Sequence, residues 1–369
     1  MNSGLYVHVP YCIQKCNYCD FVSFALTKSR QKYPAYVEKE IRIKKVGWDS
    51  FVFDSIYIGG GTPSLLSKIQ LEIILTAMQQ NFTFVDRDIE KTIEVNPETI
   101  TKQVADDLFA LGFTRISMGV QSCDDIVLKN SGRIHNTKTA EKAFKFLREA
   151  GFKNINLDFI LGLPEEREET IDMNLAKIKE LSPEHISLYS ISVSKNTPLH
   201  KQLQKKETSL PCEDDFVYRW EWYIRELKLM GYEHYEISNF AKKGKQSKHN
   251  LHYWHGDPYL GLGVSAVSAD SEKRYTNTKD IDLYFKKLDQ NESPVTHTEI
   301  LDAKIRQKES VMLGLRLLQE GVSIFTIEKK DFTTIAHWEN KGLLQRKNQR
   351  LLLTEKGVFV SNQIICSFM

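Results

Sequence analysis

Three of the chain's six cysteines fall in one stretch, YCIQKCNYCDF at residues 11–21. Cys12, Cys16 and Cys19 offer three soft thiolates within one short loop, which suits zinc, a disulfide framework or an iron–sulfur cluster. Structural zinc is usually closed by four protein ligands, and no fourth cysteine stands nearby. Disulfide scaffolds belong to small secreted domains, whereas Cys123, Cys212 and Cys366 are isolated in a chain of 369 residues. A [4Fe–4S] cluster can be held by three thiolates, leaving one iron open to a further ligand.

Other residues with chemistry in them recur along the first half. GGGTPS at 59–64 has no Gly-Lys-Ser/Thr and so is no phosphate loop; without side chains its backbone can lie against a ligand. Glu94 stands before Asn96 and Pro97, Gln121 in GVQS, Arg133 in SGRIH, and Asp158 ahead of LGLP at 161–164. Each alone suits a rim salt bridge as well as a ligand. Further on, HNLHYW at 249–254 joins a potential imidazole ligand to aromatic rings.

What places these residues is an alternation of short β-branched runs with helical patterns. Strands are expected at Leu5–Val9, Ser55–Ile58, Lys91–Val95, Arg115–Gly119, Asn154–Phe159 and His185–Tyr189. Helices are expected between them, at Tyr33–Val46, Ile69–Gln80, Lys102–Leu111, Lys138–Ala150 and Glu168–Leu181, with Gly112 and Gly151 as stop signals. Six strand–helix units imply a parallel α/β sheet, an incomplete (β/α)6 barrel in preference to a doubly wound sheet. In such barrels the chemistry sits at the C-terminal ends of the strands, and the residues named above from the first half fall there, strand after strand. The barrel is expected over 1–235, with the helix Glu213–Met230 and a strand at Glu233–Ile237 near its end. A connecting region without clean period covers 236–291, and a small, mainly helical, winged-helix-like unit covers 292–369.

The segments LYVHVPYCIQKCNYCDF, YIGGGTPS, EVNPE, RISMGVQS, SGRIH and NLDFILGLP, in that order, resemble the coproporphyrinogen-oxidase-like branch of the radical S-adenosylmethionine (SAM) superfamily. The resemblance implies a radical SAM barrel in which Cys12, Cys16 and Cys19 hold a [4Fe–4S] cluster. It implies that Tyr6, Gly60, Gly61, Thr62, Glu94, Gln121, Arg133 and Asp158 contact SAM. Carboxylates suit its ammonium and ribose hydroxyls, and Arg and Gln suit its carboxylate and hydroxyl oxygens.

The branch holds oxygen-independent coproporphyrinogen III oxidases, which decarboxylate two propionates, and HemW-like haem chaperones. The oxidases carry another cysteine two residues after the third; Phe21 stands there in this chain. The HNxxYW motif of the haem chaperones is matched at His249 to Trp254, so the resemblance favours haem binding with His249 as its ligand and no oxidase activity. His252 and His255 are bystanders in this reading, a three-histidine metal site being the alternative. SVSKNTPLH departs from the branch, where an acidic residue and glycine often precede Thr-Pro; Ser194, Lys195 and Asn196 stand there instead, which bears on the substrate wall.

Net charge is +2, and 292–369 shows no basic stripe, so nucleic acid is not an expected partner. No apolar run suits a membrane span and no secretory signal is read; a cytoplasmic location follows. The resemblance names haem and haem-accepting respiratory proteins as partners, with membrane association only by way of the acceptor. A flavodoxin-type donor would reduce the cluster, and a homodimer stays open.

Overall fold

The computed structural model describes residues 2–25 and 28–369. Six parallel strands form its centre: β1 (Asn2–Val9), β2 (Val52–Gly60), β3 (Glu90–Val95), β4 (Arg115–Gln121), β5 (Ile155–Leu161) and β6 (His185–Ser190), side by side in chain order. Helices Ser29–Lys44, Lys68–Asn81, Lys102–Ala110, Thr137–Ala150 and Glu168–Leu181 connect them. Local chemistry fixes their ends. Ser67 and Gln70 form a capping box at the start of the second helix, and Gly151, at φ +110°, closes the fourth in a left-handed conformation that glycine adopts without strain. Alternate strand residues such as Leu5, Val7, Ile56, Ile58 and Ile116 are buried against these helices.

Both edges of the six-stranded array are extended. Beyond β6 lies a hairpin of β7 (Glu233–Glu236) and β8 (Asn239–Ala241), antiparallel to β6 through β8. Beyond β1 lies β9 (Tyr259–Leu262), which pairs parallel with β1, Gly4 facing Tyr259. It continues antiparallel into β10 (Val267–Ala269), β11 (Lys273–Asn277) and β12 (Val295–Ile300). The connecting region, which shows no clean period in sequence, contributes a parallel strand, and residues 295–300 of the expected last unit form a strand of the large sheet.

A buried carboxylate ties this extension to the barrel. Glu40, on the first helix and fully buried, accepts from Gly263 N (2.6 Å), Tyr284 Oη (2.7 Å) and Asn277 Nδ2 (2.6 Å), and pairs with Lys44 at 2.9 Å. Its two oxygens are thus satisfied by groups from three separate segments, the condition under which a buried charge holds.

The C-terminal unit has its own core around Val311, Leu315, Ile335, Leu351 and Ile364. Its sheet joins β13 (Val322–Ser323), β14 (Leu344–Lys347) and β15 (Arg350–Leu353), with β15 in the middle. The Thr-Glu-Lys-Gly segment starts a helix, Glu355–Phe359: the Thr354 hydroxyl accepts from Gly357 N at 3.1 Å. A Lys228–Glu355 ion pair and the bond from Leu318 N to Tyr235 O (3.0 Å) fasten this unit to the barrel.

Candidate functional site

The C-terminal ends of β1 to β6 surround a cavity of about 380 Å³. Cys12, Cys16 and Cys19 line it, as do Gly60, Gly61, Glu94, Gln121, Arg133 and Asp158. Nine of the residues singled out from sequence thus line one cavity, while Thr62, bonded to Cys12, and Tyr6 and His249 lie outside the lining.

The cysteine loop is pressed against the glycine run. Gly61 N donates to Val9 O (2.8 Å) and Thr62 N to Tyr11 O (2.7 Å). A Cβ on Gly61 would meet Tyr11 O at 2.6 Å and Cys12 Sγ at 3.0 Å, so only glycine lets the backbone come this close. The Thr62 hydroxyl donates to Cys12 Sγ (3.7 Å) and accepts from Asn96 Nδ2 (2.9 Å). Across the cavity the Arg133 guanidinium donates to Cys16 Sγ (3.4 Å), Asn96 Oδ1 (2.8 Å) and Gly119 O (2.8 Å), while its Nε is buried and without a partner. Cysteines 12, 16 and 19 are all free thiols, and burial pushes Cys12 and Cys19 up from their ordinary range, so metal must displace their protons. Among the described residues no three His, Cys, Asp or Glu side chains converge on a single-ion site. Three thiols set along one wall, a positive group behind one of them and a glycine cradle beside another fit a multi-atom cluster.

The acidic side of the cavity is pre-set. Glu94 accepts from Tyr57 Oη (2.8 Å) and Gly60 N (2.9 Å); burial raises its carboxyl to about 7, against the pull of those two bonds. Asp158, also raised by burial, accepts from Asn156 Nδ2 (2.7 Å) and Ser117 Oγ (3.1 Å). A cationic group placed near them would favour the charged form of both. Gln121 holds φ at +68°, where a non-glycine residue is strained, and a Cβ on Gly119 would meet its Nε2 at 2.7 Å. The strand end is therefore bent to turn Gln121 inward.

Tyr6 shares a hydrogen bond with His8 Nδ1 (3.0 Å) and packs beside the rings of Tyr57 and His249. His249 opens into no free space: it is 1% exposed, and its ring nitrogens bond Ser55 Oγ and Tyr253 Oη, each at 3.0 Å. His252 is gripped by Asp54 (2.6 Å) and Asp257 (2.9 Å), and His255 reaches Glu320 (3.1 Å). The three histidines of this segment thus point to three different places.

The His252 clamp gives the protein a measurable pH response. Burial lowers the imidazole, but Asp257 and Asp54 outweigh it and raise it from 6.5 to about 9. A raised folded-state value means stabilisation fully present below 6.5 and lost as pH rises through about 9. In urea titrations across that range, the wild type should lose more stability than His252→Asn. Parallel curves would show that the clamp contributes nothing.

Cavity residues that the sequence reading did not single out include Tyr57, Ser117 and Tyr189. Their signal was strand alternation: Tyr57 stands between the buried Ile56 and Ile58 and so faces the barrel interior.

The model of the Radical SAM superfamily matches residues 6–178. The haem chaperone HemW of Lactococcus lactis is 33% identical over 100% of this chain and 97% of its own length, and that of Bacillus subtilis 30% over 99% and 98%. The Escherichia coli HemW is 36% identical over 71% of this chain and 69% of its own. Coproporphyrinogen III oxidase of Escherichia coli, described as a radical SAM enzyme, has the same fold, with a TM-score of 0.86 over 100% of this chain and 90% of that one at 24% identity. The chain belongs to the HemW family of the radical SAM superfamily.

Proposed function

We propose that the protein is a haem chaperone, binding haem, a [4Fe–4S] cluster and SAM and passing haem to a respiratory haem protein. What carries this reading is the full-length likeness to the haem chaperones of Lactococcus lactis and Bacillus subtilis. Phe21, 65% exposed at the cavity where the oxidases are expected to carry a further cysteine, supports it.

In this proposal Cys12, Cys16 and Cys19 anchor the cluster. Gly60, Gly61 and Thr62 offer backbone to the methionine end of SAM. Glu94 and Asp158 hold its ammonium and ribose hydroxyls, and Arg133 and Gln121 its carboxylate and hydroxyl oxygens. Tyr6 backs the same wall through Tyr57. When bound, the cluster with its open iron supplies the electron that can cleave SAM. The chain's own part is to place that ligand against the thiolate loop and to keep the two carboxylates fixed. A flavodoxin-type donor serves if cleavage takes place. The protein works in the cytoplasm, meets the membrane through its haem acceptor, and acts alone or as a homodimer. No helix among the described residues is long and apolar enough to cross a membrane.

The test is a haem titration of the anaerobically reconstituted protein, followed at the Soret band, beside an assay of coproporphyrinogen III turnover with SAM and a strong reductant. Saturable haem binding without decarboxylation is expected. Decarboxylation without saturable haem binding would replace this reading by the oxidase one.

A further inference from the structure

The segment HNLHYW makes up the six middle residues of an eight-residue helix, Lys248–His255, packed against the N-terminal ends of the strands. Three strands hold it there. Glu90, at the start of β3, accepts from Lys248 N (3.2 Å), His249 N (3.2 Å) and Ser247 Oγ (3.3 Å). Ser55 of β2 bonds the His249 ring. Gly4 of β1 lies so close that a Cβ there would meet His249 Nδ1 at 3.0 Å.

From this position the His249 ring stacks on Tyr57, centroids 5.1 Å apart and planes 29° apart. Tyr6 covers Tyr57 from another side, with centroids 6.1 Å apart. Tyr57, so confined, directs its hydroxyl to Glu94 Oε1 at 2.8 Å, while Gly60 N takes Oε2. A continuous line of packed and bonded groups therefore runs from Ser55 and Tyr253 through His249 and Tyr57 to a carboxylate that lines the cavity.

We infer that His249 is a positioning residue: it fixes Tyr57, and through it Glu94, for the ligand of the cluster cavity, and it is not an iron ligand of haem. The inference rests on the proposed placing of SAM beside Glu94. It follows from the geometry of both ring nitrogens, which already bond Ser55 and Tyr253, and from the near-total burial of the ring. To reach an iron the imidazole would have to break both bonds and leave its stack. To hold Tyr57 it has only to stay in place, and a site works when the groups behind its contact residues lock their rotamers.

The experiment compares reconstituted wild type with His249→Ala, His249→Gln and Tyr57→Phe. SAM affinity is read from the change in the reduced cluster's EPR signal on titration, and haem affinity from the Soret band. His249→Ala and Tyr57→Phe should each weaken SAM binding roughly tenfold, the scale of a lost hydrogen bond to a charged group. His249→Gln, which can still bond Ser55 and Tyr253, should recover part of that loss, and haem affinity should stay at the wild-type value throughout. Loss of haem saturation in His249→Ala with SAM affinity intact would overturn the inference and make His249 a haem ligand. If His249→Ala fails to fold, Tyr57→Phe removes one hydroxyl and decides alone: unchanged SAM affinity overturns the inference. A wild type that holds the cluster but does not bind SAM removes the proposed site itself, and the inference with it.

Discussion

Alanine at Cys12, Cys16 or Cys19, one at a time, is expected to abolish the broad visible absorption of thiolate-bound iron after anaerobic reconstitution. Iron and sulfide content should fall with it. The effect is all or none because three thiolates are the whole anchor: with two, a second iron is left without a protein ligand. The fold should survive, since these side chains are only partly buried and none joins the hydrophobic core. Cys212→Ala and Cys366→Ala, at exposed positions, serve as controls and should load normally. Cys123 is a control of another kind: burial pushes its thiol up to about 12, which leaves it inert toward metal. Undiminished absorption in all three loop variants would show that the loop does not anchor the cluster.

Glu40→Ala is the substitution expected to harm the fold most. It removes the acceptor of Gly263 N, Tyr284 Oη and Asn277 Nδ2 together and leaves Lys44 without its carboxylate. Breaking a buried pair from one side costs about 3–5 kcal/mol, because the remaining charge stays buried and uncompensated. Lys44 retains Gly261 O (2.8 Å) and Asn277 Oδ1 (3.1 Å), which neutralise no charge. A urea midpoint well below wild type, with cavity ligands still bound at low denaturant, is the expected result. A midpoint within error of wild type would mean that water or rearrangement replaces the carboxylate.

The six barrel strands could be read from sequence because they are short apolar, β-branched runs set between helical patterns, and in the second of them Ile56 and Ile58 pack outward on the helices while Tyr57 faces the barrel interior. The helix Glu168–Leu181 has the bounds read from its pattern. The rim residues were legible because they follow strands whose positions were already clear. The helix Lys248–His255 was not, since the residues it buries are His249 and His252, and a polar side chain that is buried because it is bonded leaves no hydrophobic period. β12 escaped for the opposite reason: it lies at the edge of the sheet, mostly exposed, with no apolar alternation to show. β9 is four residues long, too short to show a period, and its place beside β1 is set by a ladder to a strand about 250 residues earlier, with Ser268 and Lys44 bonding Gly261.

That placement of β9 has a consequence for how the chain acquires its shape. β1 leaves the ribosome before both of its neighbours, and one of its edges is satisfied by residues 52–60. Its other edge waits for Tyr259–Leu262. Until then an apolar strand followed by three unprotected thiols has an open flank, the kind of edge to which other chains add. Contacts between segments so far apart in sequence close slowly. The thiol loop that follows β1 therefore stays accessible from one side until residues 259–262 have been made, and the moment β9 docks marks the earliest point at which the strand before that loop is sealed on both flanks.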